Sequence, residues 1–150
     1  MRATLHTDGG ARGNPGPAGI GVVLTDESGE VIADLARAIG ATTNNVAEYM
    51  ALVAGLELAL ERGVSELDVR LDSKLVVFQV KGEWKIKDER LRGWATKAQI
   101  LMGKFDSTTI QHVPREQNAD ADALANQAMD IAELDVEDGW SDPEQESLLE

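Results

Sequence analysis

Three strand-like segments stand ahead of the first helical one, and that order restricts the fold more than any other feature of the chain. Residues Ala3 to Thr7 and Gly19 to Thr25 read as strands around a Gly/Pro-rich stretch, Gly9 to Pro17. Val31 to Ile39 reads as a third strand after the turn Asp26-Glu27-Ser28-Gly29, which makes an antiparallel meander. Asn44 or Asn45 offers an N-cap for a helix through Arg62, with Gly63 as its stop, and Leu67 to Leu71 is a fourth strand. Beyond it Ser73 to Val80 reads as a short helix, Asp88 to Lys104 as a longer amphipathic one, Thr108 to Val113 as a fifth strand, and Ala119 to Ala132 as a last helix. A meander followed by helical crossovers, in the order βββαβααβα, predicts an α/β fold with a mixed five-stranded sheet and helices packed on it. There is no internal repeat.

The 150 residues suit a single domain with its own core. Residues 1–132 are expected to form that domain and 133–150 an acidic, disordered tail, because the tail has eight acids, no base and little to bury. The tail also explains much of the charge. The chain carries 27 acids against 14 bases, a net of −13; removing the eight tail acids leaves 19 against 14, or −5 for residues 1–132. An acidic total alone would argue against a nucleic-acid partner, but the body is only mildly acidic. Four acids engaged by two divalent ions would bring it near −1. Cysteine is absent, which excludes disulfides, thiolate catalysis and cysteine-ligated zinc. The opening residues MRATLHTDGGARGNPG lack the apolar core of a signal peptide, and no stretch approaches the ~18 apolar residues of a membrane span. The expectation is a cytoplasmic chain with no membrane partner, and a monomer.

Several carboxylates occupy positions that packing alone does not favour. In the first helix Glu48 lines up with Leu52, Gly55 and Ala59 at i+4, i+7 and i+11, the face that should press on the sheet. A glutamate there must be paired, protonated or bound to a cation. Asp8 stands at the end of the first predicted strand, and Asp72 closes the fourth. Taken singly, Asp8 reads as a turn residue, Asp72 as an N-cap, and Asp120 and Asp122 as acids favoured by a helix dipole. Taken together they change meaning: like carboxylates gathered within a few ångström require a shared cation or bound protons. An all-oxygen donor set without His or Cys selects Mg²⁺ or Mn²⁺, and two such ions suit in-line phosphoryl chemistry. The segment with Gly9, Gly10, Gly13 and Gly16 lacks the Gly-Lys-Ser/Thr of a nucleotide loop, but its backbone can approach a sugar-phosphate groove closely.

Four blocks then carry a family resemblance: Thr-Asp-Gly-Gly-Ala-Arg-Gly-Asn-Pro-Gly at 7–16, Thr-Asn-Asn-Val-Ala-Glu-Tyr at 43–49, Leu-Asp-Ser-Lys at 71–74, and Val-Pro-Arg-Glu-Gln-Asn-Ala-Asp-Ala-Asp-Ala-Leu-Ala-Asn at 113–126. In order and spacing they resemble the blocks of ribonuclease H type 1, most closely its archaeal and actinobacterial branch, in which such a domain can precede a phosphatase domain. The resemblance implies an endoribonuclease that cleaves the RNA strand of RNA–DNA hybrids to 5′-phosphate and 3′-hydroxyl ends, with two Mg²⁺ ions that Mn²⁺ can replace. It matches Asp8 to a carboxylate bridging both metals, Glu48 and Asp72 to the pair on the leaving-group ion, and Asp122 to the fourth ligand, with Asp120 as rival. Asp122 is preferred because Ala-Leu-Ala-Asn follows it.

The resemblance further matches Ala11, Gly13, Asn14 and Asn44 to positions that read 2′-hydroxyls, the group that distinguishes RNA from DNA. Thr43 and Asn45 match a pocket for a phosphate of the DNA strand, and Ser73 and Trp84 match further contacts. Two departures stand out. Family members often carry a basic insertion between the middle helices; here Lys81, Lys85, Lys87, Arg90, Arg92 and Lys97 are scattered among acids, which predicts modest, salt-sensitive affinity. Others carry a histidine on the loop before the fourth carboxylate. His112 lies within a predicted strand, so Arg115, nearer the loop tip, is the better substitute. Alternatives to this enzyme are a non-catalytic hybrid- or duplex-binding module and another metal nuclease of the same fold.

Overall fold

A computed structural model describes residues 1–137. Its elements are β1 (Arg2–Ala11), β2 (Gly16–Asp26), β3 (Val31–Thr42), α1 (Asn44–Glu61), β4 (Glu66–Leu71), α2 (Lys74–Val80), α3 (Glu89–Met102), β5 (Ser107–His112), a single 3-10 turn at Arg115–Gln117, and α4 (Ala119–Glu137). The sheet order is β3-β2-β1-β4-β5. β1, β2 and β3 pair antiparallel, whereas β4 runs parallel to both β1 and β5. The mixed sheet and the element order agree with the sequence.

Alternation along the strands sorts the two faces. Leu5, Ile20, Val22, Leu24, Val69 and Leu71 are fully buried, and α1 lies over them with Val46, Leu52 and Leu56. Helices α2 and α3 complete this core with Val76, Val77, Leu91 and Ala95. The other face is covered by α4 through small residues, Ala121, Ala125, Ala128 and Ala132, on one helical stripe. Opposite them on β2 are Gly19 and Gly21. A Cβ added at Gly21 would lie 2.1 Å from the Ala121 carbonyl oxygen, and one at Gly19 2.6 Å from the Ala128 Cβ. On the α1 side, a Cβ at Gly9 would lie 2.2 Å from the Ala47 carbonyl oxygen. Both helices therefore approach the strands at backbone distance.

Four expectations are corrected. β1 does not end near Asp8 but continues to Ala11, because Gly9 and Gly10 remain paired with Ile20 and Gly19 under the helices; the turn shrinks to residues 12–15. The N-cap of α1 is Thr43, whose Oγ1 accepts from the Val46 N–H at 3.3 Å, not Asn44 or Asn45. Asp72 does not cap α2; Ser73 does, its Oγ accepting from the Val76 N–H. Finally, α4 runs past Ala132 to Glu137, so 133–137 belong to a helix. The rest of the expected tail, 138–150, lies outside the described residues.

The close approach yields a paired prediction. Gly21→Ala should destabilise by about 1–3 kcal/mol through overpacking against α4. Gly93→Ala in α3, where an added Cβ meets nothing within 4 Å, should stabilise by roughly 0.5–1 kcal/mol. Urea unfolding of both variants checks the signs; a neutral Gly21→Ala would mean that α4 is free to shift.

Candidate metal centre and active site

The site forms where β4 stops. Parallel pairing of β1 with β4 runs from Arg2–Glu66 to His6–Arg70, so two residues farther along the same register Asp8 and Asp72 come abreast. Asp8 stays in the ladder with β2, opposite Gly21, while Asp72 begins the connection to α2. With β4 gone, the far edge of β1 is open. Glu48 enters this gap from α1, one turn past the Thr43 cap.

Asp8, Glu48 and Asp72 each offer an oxygen within 4.8 Å of the others. Asp8 and Glu48 are buried, at 8% and 6% exposure. Glu48 Oε1 accepts from the Gly9 N–H at 3.1 Å, but its buried Oε2 has no partner. Burial raises the Asp8 pKa well above the carboxylate range, helped by the charges of Glu48 and Asp72 and by hydrogen bonds with Glu48 and Asp122. Burial also raises Glu48, against the opposing effect of the Gly9 N–H. A proton held between these acids is what the cluster needs when no cation is present. An unpartnered buried oxygen beside two more carboxylates, with no nitrogen or sulfur donor, fits a hard divalent cation.

Asp122 reaches the same cleft from the first turn of α4. The cleft, about 400 Å³, is lined by Asp8, Gly9, Asn44, Glu48, Asp72, Ser73, Arg115 and Asp122. Asp120 is turned away, into a separate pocket with His6 and Glu116. A larger cleft of about 490 Å³ lies on the face of β4 and β5 that α4 leaves bare. Of its acids, Asp68 is engaged by Arg70, Thr109 and Gln111, Asp26 accepts from the Ser28 and Glu30 N–H groups, and Glu66 lies 3.6 Å from Arg2.

The other candidates divide. Arg115 lines the cleft, and its Nη2 lies 3.6 Å from Asp122 Oδ1, although the side chain is largely exposed. His112 remains in β5 beside Leu71 and is not among the lining residues. Asn44 sits at the rim; its N–H donates to Asn14 Oδ1 at 3.0 Å, and its Oδ1 accepts from the Ala11 N–H at 3.4 Å. Gly13 takes φ +110° in the turn between them. Thr43 and Asn45 flank Asn44, and Asn45 is exposed. Trp84 is 46% exposed, with its ring centroid 5.0 Å from that of Phe78. Two groups escaped the sequence reading. The Gly9 amide that holds Glu48 has no side-chain signal. Asn118 is buried and donates from Nδ2 to the Thr7 carbonyl at 2.9 Å, tying the start of α4 to the residue before Asp8; its place in the 113–126 block was the available clue.

These shifts set the sign of a pH effect. A carboxyl whose folded pKa is raised binds more protons folded than unfolded, so stability is lost as pH rises from the unfolded value, near 4, through the folded one. Without metal, Asp8→Asn should therefore melt at or above the wild-type temperature at pH 8, and the difference should vanish below pH 4. Thermal melts in chelator across that range measure it; a variant less stable at pH 8 would contradict the raised Asp8.

Comparison with known proteins agrees with this architecture. The family described as Reverse transcriptase-like matches residues 6–128. The chain is 49% identical over 133 residues to the bifunctional protein Rv2228c of Mycobacterium tuberculosis, covering 88% of this chain and 36% of that protein. It is 46% identical over 131 residues to ribonuclease HI of Halobacterium salinarum, covering 87% and 66%. It thus spans about a third of the first relative and just under two thirds of the second. Among solved structures, LC11-RNase H1 in complex with an RNA/DNA hybrid superposes with a TM-score of 0.82 at 45% identity, covering 87% of this chain and 98% of that one. With the fold, the four blocks and these likenesses in agreement, the chain belongs to the ribonuclease H type 1 family.

Proposed function

We propose that this chain is an endoribonuclease that hydrolyses the RNA strand of RNA–DNA hybrids with two Mg²⁺ ions, for which Mn²⁺ can substitute. The observation that carries the reading is the trio Asp8, Glu48 and Asp72, two of them buried, with an unpartnered Glu48 oxygen, in a cleft shared with Asp122. A solved relative holding an RNA/DNA hybrid supports the substrate class. Asp8, Glu48, Asp72 and Asp122 would hold the ions. When bound, such ions activate the attacking water and stabilise the leaving oxygen of the phosphodiester.

The chain's own groups supply the rest. The Gly9 N–H holds one Glu48 oxygen, and the other has no protein partner and would be left for a cation. Ala11, Gly13, Asn14 and Asn44 would meet 2′-hydroxyls of the RNA strand, and Thr43, Asn45 and Ser73 would meet phosphates. Because Thr43 and Ser73 already cap helices, their hydroxyls accept from backbone N–H groups and retain a proton to donate to an anionic oxygen. Arg115 stands beside Asp122 at the mouth, where its charge would help a cleaved phosphate depart; His112, one strand position away from Asp72, is the weaker candidate for that task. No helix among the described residues is long and apolar enough to cross a membrane. A cytoplasmic monomer is the working form in which to test this.

Labelled hybrid, double-stranded RNA and double-stranded DNA incubated with Mg²⁺ or Mn²⁺ test the activity: cleavage confined to the RNA of the hybrid and abolished by chelator is expected. Asp122→Asn should lower the rate at least about a hundredfold, equivalent to ~3 kcal/mol of transition-state stabilisation. Asp120→Asn should stay within about threefold, since a group outside the cleft stabilises no developing charge. Equal losses in the two variants would overturn the assignment of the fourth carboxylate.

A further inference from the structure

Arg12 opens the turn between β1 and β2, and its guanidinium is directed onto α4. One Nη pairs with Asp130 and lies 3.2 Å from Glu133; the other donates to the Asn126 carbonyl and side-chain oxygens, each at 3.4 Å. The Arg12 N–H donates to the Pro17 carbonyl at 2.8 Å across the turn. A Cβ at Gly16 would lie 2.2 Å from the Arg12 carbonyl oxygen, so the turn is folded tightly on the Arg12 backbone. From the other side Asn44 holds Asn14 and Ala11.

The partners of Arg12 share a stripe with the catalytic candidate. Asp122, Asn126, Asp130 and Glu133 follow one another at i, i+4, i+8 and i+11 along α4. Asn126 Nδ2 also donates to the Asp122 carbonyl at 2.9 Å. One face of one helix therefore begins at the carboxylate centre and ends at the turn.

We propose that Arg12 is a positioning residue for hybrid cleavage: by clamping the β1–β2 turn to α4, it fixes the separation between the residues that meet the RNA strand and the carboxylates that cut it. This rests on the function proposed above. The rival role is a direct phosphate contact. Two carboxylates against one guanidinium leave the cluster negative, and donors on both Nη atoms are already engaged, which leaves little of the fork for a phosphate. Exposed ion pairs contribute little to global stability, so the clamp should show in the order of the turn and in KM.

The test compares Arg12→Ala, Arg12→Lys, the double variant Asp130→Asn/Glu133→Gln, and the triple combining that pair with Arg12→Ala. Steady-state cleavage of hybrid is measured alongside ¹⁵N relaxation of Gly13, Asn14 and Gly16 in the free protein. Arg12→Ala and the double variant should each raise KM about five- to tenfold with kcat within about twofold, the triple should add nothing further, and Arg12→Lys should recover part of the loss. Order parameters should fall at those turn residues and nowhere else. A lower KM in the double variant would mean that freeing Arg12 gives it to a phosphate, and would overturn the proposal. Unchanged turn order, or loosening throughout the domain, would overturn it as well. Failure of the wild type to cleave hybrid would instead overturn the proposed function, and the relaxation data would still decide the clamp.

Discussion

Backbone-distance contact between helices and the central strands governs everything built on this sheet. α1 rests on β1 where Gly9 leaves no side chain, and α4 rests on β2 at Gly19 and Gly21 with alanines facing it. Small residues on both sides are needed, since a single methyl group at Gly9 or Gly21 would fall within 2.2 Å of a helix carbonyl oxygen. The gain is positional. Side chains as short as aspartate and glutamate can meet only if their backbones are close, and here Glu48 from α1 and Asp122 from α4 both reach Asp8. Asn118 adds a direct tie between α4 and β1 at that level. The packing that stabilises the domain is thus the packing that assembles the cleft.

The same closeness creates an electrostatic cost that packing cannot remove. Asp8, Glu48 and Asp72 lie within a few ångström of one another with two of them buried, and the mutual repulsion is relieved without metal by keeping protons. A fold selected for stability alone would replace at least one of these acids by an amide. Retaining all of them leaves a centre that must hold protons when no cation is present, and that a divalent cation would relieve of them. Stability and metal affinity are linked through the same groups.

Much of this was legible in the sequence because the signals were periodic. Apolar alternation located all five strands, and Glu48 was visible as an acid on the sheet-facing stripe of its helix. Juxtaposition was less legible: nothing local separates Asp122 from Asp120, two acids in one helical turn, and only the 113–126 block favoured the first. The structure separates them because residues two apart on a helix face different ways, one into the carboxylate cleft and the other toward His6. Local signals misled at two places. Gly9 and Gly10 looked like a loop because glycine usually marks one, yet here they are strand residues thinned to admit a helix. Glu133 to Glu137 looked like the start of a tail because they are acidic, yet the helix continues through them, with Glu133 against Arg12. Tertiary pairing supplied what local propensity did not.

The acidic balance of the chain is consistent with a polyanionic substrate once the acids are sorted by task. Asp130 and Glu133 are committed to Arg12, Asp88 caps α3 and Asp68 is held by Arg70 and its neighbours. Four others face one cleft. If these four hold two divalent ions, the charge that would repel a phosphodiester becomes the charge that attracts it, and the body moves from −5 toward neutrality. Most other groups expected to touch the hybrid are neutral: backbone amides at Ala11 and Gly13, amide side chains at Asn14, Asn44 and Asn45, hydroxyls at Thr43 and Ser73. Such groups read shape and 2′-hydroxyls but supply little Coulomb attraction. On the proposed function, ions held by these four acids would be the main local source of attraction for the scissile phosphate, so that hybrid binding and metal loading would be thermodynamically coupled, each tightening the other.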